Sequence, residues 1–110
     1  MYRIRAHYLP VENAFLNYDH YFSVHVPLAV RQMNGAVKVH KVDIEKGAEC
    51  LFETHELQPL LVLSIYVEST ADVEDFKRFV QSDKATPLLE DVPRYTNCRI
   101  VWTASELAEN

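Results

Sequence analysis

Apolar and polar residues alternate along several stretches of this chain, as expected for strands with one covered face. Residues 2–9, 36–45 and 97–103 alternate in this way, whereas residues 60–67 are apolar almost throughout. A nearly continuous apolar run of this length is typical of a strand that is covered on both faces. The pattern therefore predicts three strands with one buried face and a fourth strand inside the sheet.

Two helices are predicted between these strands. Asn13 or Asn17 can begin the first helix, which runs to about residue 34 and is followed by Gly35. Asparagine is a favoured N-cap, and glycine is the favoured residue just past a helix end. Ser69 or Thr70 can cap the second helix, and acidic residues fill its first turn, where the helix dipole favours them.

A shorter helical turn is predicted between Thr86 and Pro93, just before the last strand. The resulting order, β-α-β-β-α-β, is that of the α+β ferredoxin-like fold, a four-stranded antiparallel sheet with its helices on one face. We expect a single domain over residues 1–110, since this length supports one core. The connection of residues 48–59 is acidic; a solvated loop is the plainer interpretation of Glu49, Glu53, His55 and Glu56, and a lid is the alternative.

The third predicted strand leaves the second face of the sheet in need of a cover, because both of its sides are apolar. A second copy of the chain, packed sheet to sheet as a homodimer, is the predicted cover. Arg3, Arg5 and His7 lie on one side of the first strand and oppose this prediction. Buried there, they would need acidic partners such as Asp43 or Glu45.

Charge and composition narrow the function classes. A net charge of −5 argues against nucleic-acid binding, and the two glycines form no phosphate-binding loop. No apolar run is long enough to predict a membrane span. Cys50 and Cys98 match no zinc or redox spacing, and a cytoplasmic protein with reduced thiols is expected. His20 and His25 are five residues apart, which does not match a helical metal pair, so neither a metal nor a cofactor is predicted.

The first predicted helix carries an aromatic face with a single imidazole. Its members recur every three or four residues: Phe15, Tyr18, Tyr21 or Phe22, His25, Leu28 or Ala29, and Gln32. Pro27 has no amide hydrogen and disturbs the helix one turn earlier. An aromatic face next to such a disturbance indicates a pocket wall as much as packing.

His25 is the leading catalytic candidate, because burial can bring the pKa of an imidazole into a range useful for acid–base work. Tyr21, one turn earlier, could orient a substrate oxygen or donate a proton. Tyr8, Tyr66 and Trp102 are polar-tipped aromatics suited to binding a ligand, although each is also a common core residue. The competing interpretation of His25 is a structural hydrogen bond. Asp19 and His20 are expected to face water.

The segment Phe15–Leu28, with its His25-Val26-Pro27-Leu28 end, resembles the EthD-like family of dimeric α+β barrel proteins. A second match is the tail Leu89–Asn97, in which an acidic residue and a proline lead into the last strand. The resemblance implies the ferredoxin-like fold and a homodimer. Related barrels include cofactor-free polyketide cyclases, decarboxylases, monooxygenases and haem-linked enzymes, so the resemblance implies no single reaction.

Two functions follow from these observations. In the first, the protein is a cofactor-free lyase or cyclase-type enzyme acting on a hydrophobic, aromatic or carbonyl-bearing metabolite. His25 would move a proton in cyclisation, dehydration or decarboxylation, and Tyr21 or Tyr66 would bind the oxygen. In the second, it is a non-catalytic homodimer that binds a small molecule or a partner. A second titratable group facing His25 would favour the first function, and the sequence shows no carboxylate clearly on that face.

Overall fold

The predicted strands form one antiparallel sheet in the order β2-β3-β1-β4. The computed structural model describes residues 1–52 and 58–108. The strands are β1 (Tyr2–Leu9), β2 (Lys41–Lys46), β3 (Leu61–Val67) and β4 (Arg99–Glu106). The apolar run thus forms an interior strand, hydrogen-bonded to β2 on one side and to β1 on the other. The ferredoxin-like prediction is confirmed.

The helices pack against one face of this sheet, where Ile4, Ala6 and Tyr8 of β1 are almost completely buried. The first predicted helix consists of α1 (Tyr18–His20), a π-helical turn (Tyr21–His25) and α2 (Val26–Met33). The second is α3 (Thr70–Val80), and a 3₁₀ turn (Asp83–Ala85) leads into α4 (Thr86–Tyr95).

Three of the predicted boundaries differ from those of the structure. β2 begins at Lys41 rather than near residue 36, because the turn through Gly35 (φ +81°) continues past it: the amides of Ala36 and Val37 both donate to the Met33 carbonyl. The turn predicted to end at Pro93 is a ten-residue helix that continues to Tyr95. Proline deprives the carbonyl four residues earlier of a hydrogen bond. That carbonyl belongs to Leu89, which is 59% exposed, so the helix tolerates the loss. β4 runs past the predicted residue 103 because it pairs with β1 along its whole length.

The core consists of two clusters on the helix side of the sheet. The first joins β1 and β3 to α3 through Ile4, Ile65, Val67, Phe76 and Phe79. The second joins the same strands to the π-helical turn and to α4 through Ala6, Tyr8, Leu61, Tyr21 and Tyr95. The second cluster is unusual in its three buried tyrosines, because their hydroxyl groups must find partners inside the protein.

The strand register also determines which residues face away from the helices. Arg5 pairs with Ser64 of β3, and Asp43 of β2 pairs with the same serine, so these three side chains share the open face. Tyr66 belongs to this face as well, since it pairs with Arg3. The open face of β3 is therefore less apolar than the sequence indicated, because a serine sits at its centre.

Within residues 1–52 and 58–108, every helix is too short or too polar to cross a membrane. Glu49 of the connection between β2 and β3 is exposed. Glu53, His55 and Glu56 of that connection, for which a solvated loop and a lid were the alternatives, lie outside the described residues.

Ser69 begins α3 with a capping box: its hydroxyl accepts from the Asp72 amide, and the Asp72 carboxylate accepts from the Ser69 amide. We expect Ser69→Ala to lower the free energy of unfolding by about 1 kcal/mol, because it leaves a helix-end amide without its acceptor. Urea denaturation measures the loss. The matched control is Thr70→Ala, which changes the exposed neighbour and keeps the cap; an equal loss in both variants would contradict the prediction.

Candidate active site

The central feature of the helix side is a buried carboxylate that two histidines share. Asp91 of α4 is 3% exposed. Its Oδ2 lies 2.9 Å from Nδ1 of His25, and its Oδ1 lies 2.9 Å from Nε2 of His20. A carboxylate only accepts hydrogen bonds, so both ring nitrogens carry the hydrogen in these contacts. A buried charge of this kind is stable because both of its oxygens are hydrogen-bonded.

The π-helical turn explains how two histidines five residues apart reach the same carboxylate. In an α-helix, positions five apart point about 140° away from each other. Here the amide of Val26 bonds to the carbonyl of Tyr21, the i→i+5 bond of a π-helix, which brings such positions nearly into line. Pro27 favours this arrangement because it cannot supply the α-helical bond to the Ser23 carbonyl. The predicted disturbance is therefore the feature that assembles the site.

Further hydrogen bonds hold the start of the first helix against the end of α4. The amide of Asn17 donates to the Tyr95 carbonyl at 2.7 Å, and the Asn17 side chain caps α1 by accepting from the His20 amide. The Thr96 hydroxyl donates to the Phe15 carbonyl at 2.8 Å. These contacts fix the positions of the two histidines relative to Asp91.

Burial and charge set the protonation states in this cluster. Burial lowers the pKa of His25 and outweighs the opposing effects of its hydrogen bond to Asp91 and of the Asp91 charge, and the electrostatic influence of the neighbouring His20 adds to the decrease. Burial by itself would raise the pKa of Asp91, but the hydrogen bonds from His20 and His25 prevail and hold it below its usual value. At neutral pH the cluster therefore contains a carboxylate and a neutral His25 ring, whose Nε2 bears a lone pair.

Two tyrosines pack against the His25 ring, and Tyr8 packs against both of them. The Tyr95 ring lies 4.6 Å from the His25 ring and the Tyr21 ring 5.7 Å, measured between ring centroids. The hydroxyl groups of Tyr8 and Tyr95 are 2.7 Å apart and hydrogen-bond to each other. The Tyr21 hydroxyl is enclosed by protein, and its polar neighbour is the Tyr8 hydroxyl. Burial raises the pKa of all three phenols, so they remain protonated and can donate.

A cavity of about 510 Å³ adjoins this cluster, between the helices and the sheet. Ligand pockets commonly have volumes of this size. Its polar lining residues are the tyrosines, His25 and Asn34, and apolar side chains of the sheet and of α2, α3 and α4 form most of the rest. The described lining residues include no lysine, arginine, aspartate or glutamate. Several apolar lining residues are partly exposed and mark the mouth: Val30, Val39, Val42, Leu89 and Trp102.

The structure brings four of the five candidate residues to this cavity. His25, Tyr21 and Tyr8 lie at its polar part, and Trp102 lies at the mouth, where its ring is 5.2 Å from that of Phe76. Tyr66 does not line the cavity. It is an even-numbered residue of β3, and side chains alternate between the faces of a strand, so it faces away from the helices.

Two expectations about the neighbours of His25 are wrong. His20 was expected to face water, but it bonds to Asp91 and stacks on Tyr95, with its side chain 24% exposed. A carboxylate does face His25, although none was identified from the sequence. Its signal was present: Leu88, Asp91 and Tyr95 recur at helical spacing, which places an acidic residue on an apolar face. The short turn assumed for this segment concealed that periodicity.

The arrangement does not resemble a metal site. His20 and His25 point their bonding nitrogens at opposite oxygens of Asp91. In the part of the chain that the structure describes, no group of three or more His, Cys, Asp or Glu side chains is placed to hold a metal ion. What this geometry offers is a histidine oriented by a carboxylate, the pairing that general acid–base catalysis commonly uses.

Comparison with known proteins finds solved structures that are similar to this one. No family model matches the sequence, and no curated protein does. The crystal structure of an EthD-like protein from Ralstonia eutropha JMP134 is similar with a TM-score of 0.76 and 20% identity, over 96% of this chain and 89% of that one. This chain has the EthD-like fold. An EthD family protein from Bacillus halodurans C-125 is similar with a TM-score of 0.60 and 14% identity, over 98% and 99% of the two chains. The resemblance inferred from the sequence is thereby confirmed.

The lowered pKa of His25 has a consequence for stability. In the unfolded chain this ring takes up a proton near its ordinary pKa of about 6.5, whereas the folded protein resists protonation until a lower pH. Stability that is present above about pH 6.5 should therefore be lost as the pH falls below that value. Thermal melting between pH 8 and pH 5 measures the effect, and His25→Gln should show a shallower dependence. Parallel curves for the two proteins would contradict the assignment.

Proposed function

We propose that this protein transfers a proton on a hydrophobic, aromatic or carbonyl-bearing metabolite, with His25 as the acid–base group. The observation that carries the proposal is the 2.9 Å contact between Nδ1 of His25 and the buried Asp91 carboxylate, beside a cavity. Asp91 fixes the tautomer and the orientation of the ring, which leaves Nε2 to act on a ligand. Asp91 is a positioning residue in this scheme.

The reaction requires few steps. Nε2 of neutral His25 removes a proton from a carbon next to a carbonyl; the C–H electron pair forms the C=C bond, and the C=O π pair moves to the oxygen to give an enolate. The developing imidazolium is stabilised by Asp91, and a phenol of the tyrosine cluster can donate to the enolate oxygen. Return of the proton at another atom completes an isomerisation. In a cyclisation, the enolate carbon instead attacks a second carbonyl of the same molecule, and the imidazolium protonates the resulting alkoxide. In a dehydration, the enolate expels a hydroxyl from the β-carbon, which leaves as water with the proton of the imidazolium. The proposal uses only side chains of this chain and needs no cofactor.

A non-catalytic binding protein is the second candidate. The same contacts favour it, because His25 is held by Asp91, stacked on Tyr21 and packed at a tilt against Tyr95, as a structural histidine would be. In that case the cavity binds a small hydrophobic molecule without changing it. The two candidates differ in whether Nε2 exchanges a proton with the bound molecule.

Deuterium exchange separates the candidates without knowledge of the natural substrate. In D₂O, we expect the protein to accelerate exchange of the methyl hydrogens of 2-acetylnaphthalene, followed by proton NMR. His25→Gln should lower the catalysed rate by roughly 100-fold or more, the usual contribution of a positioned base. Asp91→Asn should lower it in the same direction, since the tautomer is no longer fixed.

The matched control is His40→Gln, because the His40 side chain is 51% exposed and lies outside the cavity. This variant should exchange at the rate of the unchanged protein. If His25→Gln also retains the full rate, His25 is not the base. If the unchanged protein binds the ketone without accelerating exchange, the non-catalytic candidate is favoured.

We further propose that the protein is a homodimer that pairs through the open face of the sheet. The Nε atoms of Arg3 and Arg5 are enclosed on this face and have no hydrogen-bond partner among the described residues. Their charges, after burial itself, lower the pKa of the adjacent His7. A dimer contact over this face would bury both guanidinium groups, which would then call for acidic partners, and a second copy could supply them.

The strand register places acidic residues at the same levels of the sheet as these basic residues. Arg5 and Asp43 flank Ser64 on one rung of the sheet, and His7 and Glu45 flank Val62 on the next. A two-fold axis along β3 would place β1 of one protomer over β2 of its partner at the same level. Arg5 would then face Asp43 of the partner subunit, and His7 would face Glu45 of the partner subunit. The face is thus complementary in charge to a rotated copy of itself.

Charge reversal tests this dimer. Arg5→Asp and Asp43→Arg should each convert a dimer to a monomer at micromolar concentration, because like charges would then oppose each other across the interface. The double variant should recover the dimer, as judged by size-exclusion chromatography with light scattering. Arg78→Asp on the outer face of α3 is the control and should remain dimeric. If the protein without substitutions is a monomer, the proposal is wrong.

We also propose that the protein works in the reducing environment of the cytoplasm. Cys50 is exposed and unpaired, and Cys98 is buried and unpaired. Free thiols are typical of proteins that work in a reducing compartment.

A further inference from the structure

We infer that His20 is a positioning residue for His25. By sharing the Asp91 carboxylate, His20 withholds part of the negative charge that would otherwise stabilise the His25 imidazolium, and it thereby keeps His25 in the neutral form that accepts a proton. The inference rests on the proposed function in taking His25 as the acid–base group. It goes further by giving a role to His20, which does not line the cavity. Three features of the cluster support it.

The first feature is the geometry of the shared carboxylate. Each oxygen of Asp91 lies 2.9 Å from one ring nitrogen, Oδ1 from Nε2 of His20 and Oδ2 from Nδ1 of His25. One carboxylate carries one negative charge, so it can compensate only one imidazolium at a time. Protonation of either ring therefore opposes protonation of the other.

The second feature is the difference in exposure between the two rings. The side chain of His20 is 24% exposed and that of His25 is 12% exposed. Asp91 and Tyr95 of α4 face the His20 ring, and its remaining surface is open to water. An imidazolium that keeps part of its hydration costs less than one that is more deeply buried. The cluster thus favours a positive charge on the outer ring and a neutral ring beside the cavity.

The third feature concerns the groups around the His25 ring. The titratable side chains that face it are the carboxylate of Asp91 and the phenols of Tyr21 and Tyr95. The phenols stay protonated and carry no charge. On the cavity side, the lining residues that the structure describes include no lysine, arginine, aspartate or glutamate. The charge of His25 therefore depends on Asp91 and His20, and the lowered pKa of His25 agrees with this arrangement.

This sharing suits a base that must also return its proton. If Asp91 served His25 alone, the imidazolium would be strongly stabilised, and a proton would stay on His25 near neutral pH. With His20 on the second oxygen, His25 is neutral when the substrate enters and gives up the proton after the transfer. A proton-transfer group is most effective when its pKa is close to the working pH.

Titration of the His25 ring by NMR tests the inference without any substrate. His20→Phe keeps a ring that can stack on Tyr95 and removes both nitrogens, which leaves Asp91 to His25 alone. We expect the pH at which His25 is half protonated to rise by about one unit, a tenfold change in the ratio of its two forms. His20→Gln can donate a hydrogen bond but cannot carry a charge. It should shift this midpoint in the same direction by a smaller amount.

His40→Gln is the matched control, because the His40 side chain is 51% exposed and its acidic neighbour is Glu68. The midpoint of His25 should be unchanged in this variant. An unchanged or lower midpoint in His20→Phe would overturn the inference, because His20 would then hold Asp91 against His25 without competing for its charge. If His20→Phe does not fold, the same criterion applies to His20→Gln.

The deuterium exchange of 2-acetylnaphthalene, measured against pH, separates this inference from the proposed function. In His20→Phe the rate should begin to fall at a higher pH than in the unchanged protein, by the same interval as the NMR midpoint. A shifted midpoint in a protein that does not accelerate exchange would support the role of His20 and contradict catalysis by His25. Catalysed exchange with an unshifted midpoint would contradict the inference and leave the proposed function intact.

Discussion

The carboxylate of Asp91 is buried between the first helix and the last helix of the chain, and most of the functional part of the molecule is arranged around it. A buried charge destabilises a fold unless its oxygens are hydrogen-bonded. His20 and His25 supply those bonds, one to each oxygen. The two histidines belong to the first helix, and the carboxylate belongs to α4. The need to pair the carboxylate therefore fixes how α4 packs against the π-helical turn.

The π-helical turn is the local distortion that makes the shared carboxylate possible. An undistorted α-helix would point His20 and His25 in different directions. Pro27 cannot supply one α-helical hydrogen bond, and the chain closes a wider turn instead. Such turns commonly occur at functional sites. The proline and the two histidines together therefore produce the shared contact with Asp91, although only His25 borders the cavity.

The need to pair buried polar groups also affects the tyrosines near the cavity. Tyrosines that pack against the His25 ring bring hydroxyl groups into the core, and each needs a partner there. Tyr8 and Tyr95 meet the need by bonding to each other. The Tyr21 hydroxyl is enclosed by protein, with the Tyr8 hydroxyl as its polar neighbour. The three hydroxyl groups therefore lie together behind the His25 ring, and His25 borders a cavity whose lining is mostly apolar.

Much of the fold could be predicted from the sequence. Apolar residues recur with a period of two in a strand and of 3.6 in a helix, because one side of each element is buried. The order of elements, the interior position of β3, the Ser69 cap and the Gly35 turn followed in this way. The candidate residues Tyr8, Tyr21, His25 and Trp102 were identified from the same patterns. The boundary near Pro93 was missed, since a proline inside a helix is tolerated where the carbonyl that loses its hydrogen bond belongs to an exposed residue, here Leu89. The start of β2 was also missed.

The decisive contact of the site, by contrast, required the tertiary structure. Asp91 lies 66 residues from His25, and no local pattern relates positions that far apart. Tyr66 resembles the other aromatic candidates in sequence and differs from them only in the face it occupies. The sequence by itself determined which residues are able to form a pocket. The packing of α4 against the π-helical turn decided which of them meet, because that contact depends on a buried charge finding partners from two distant segments.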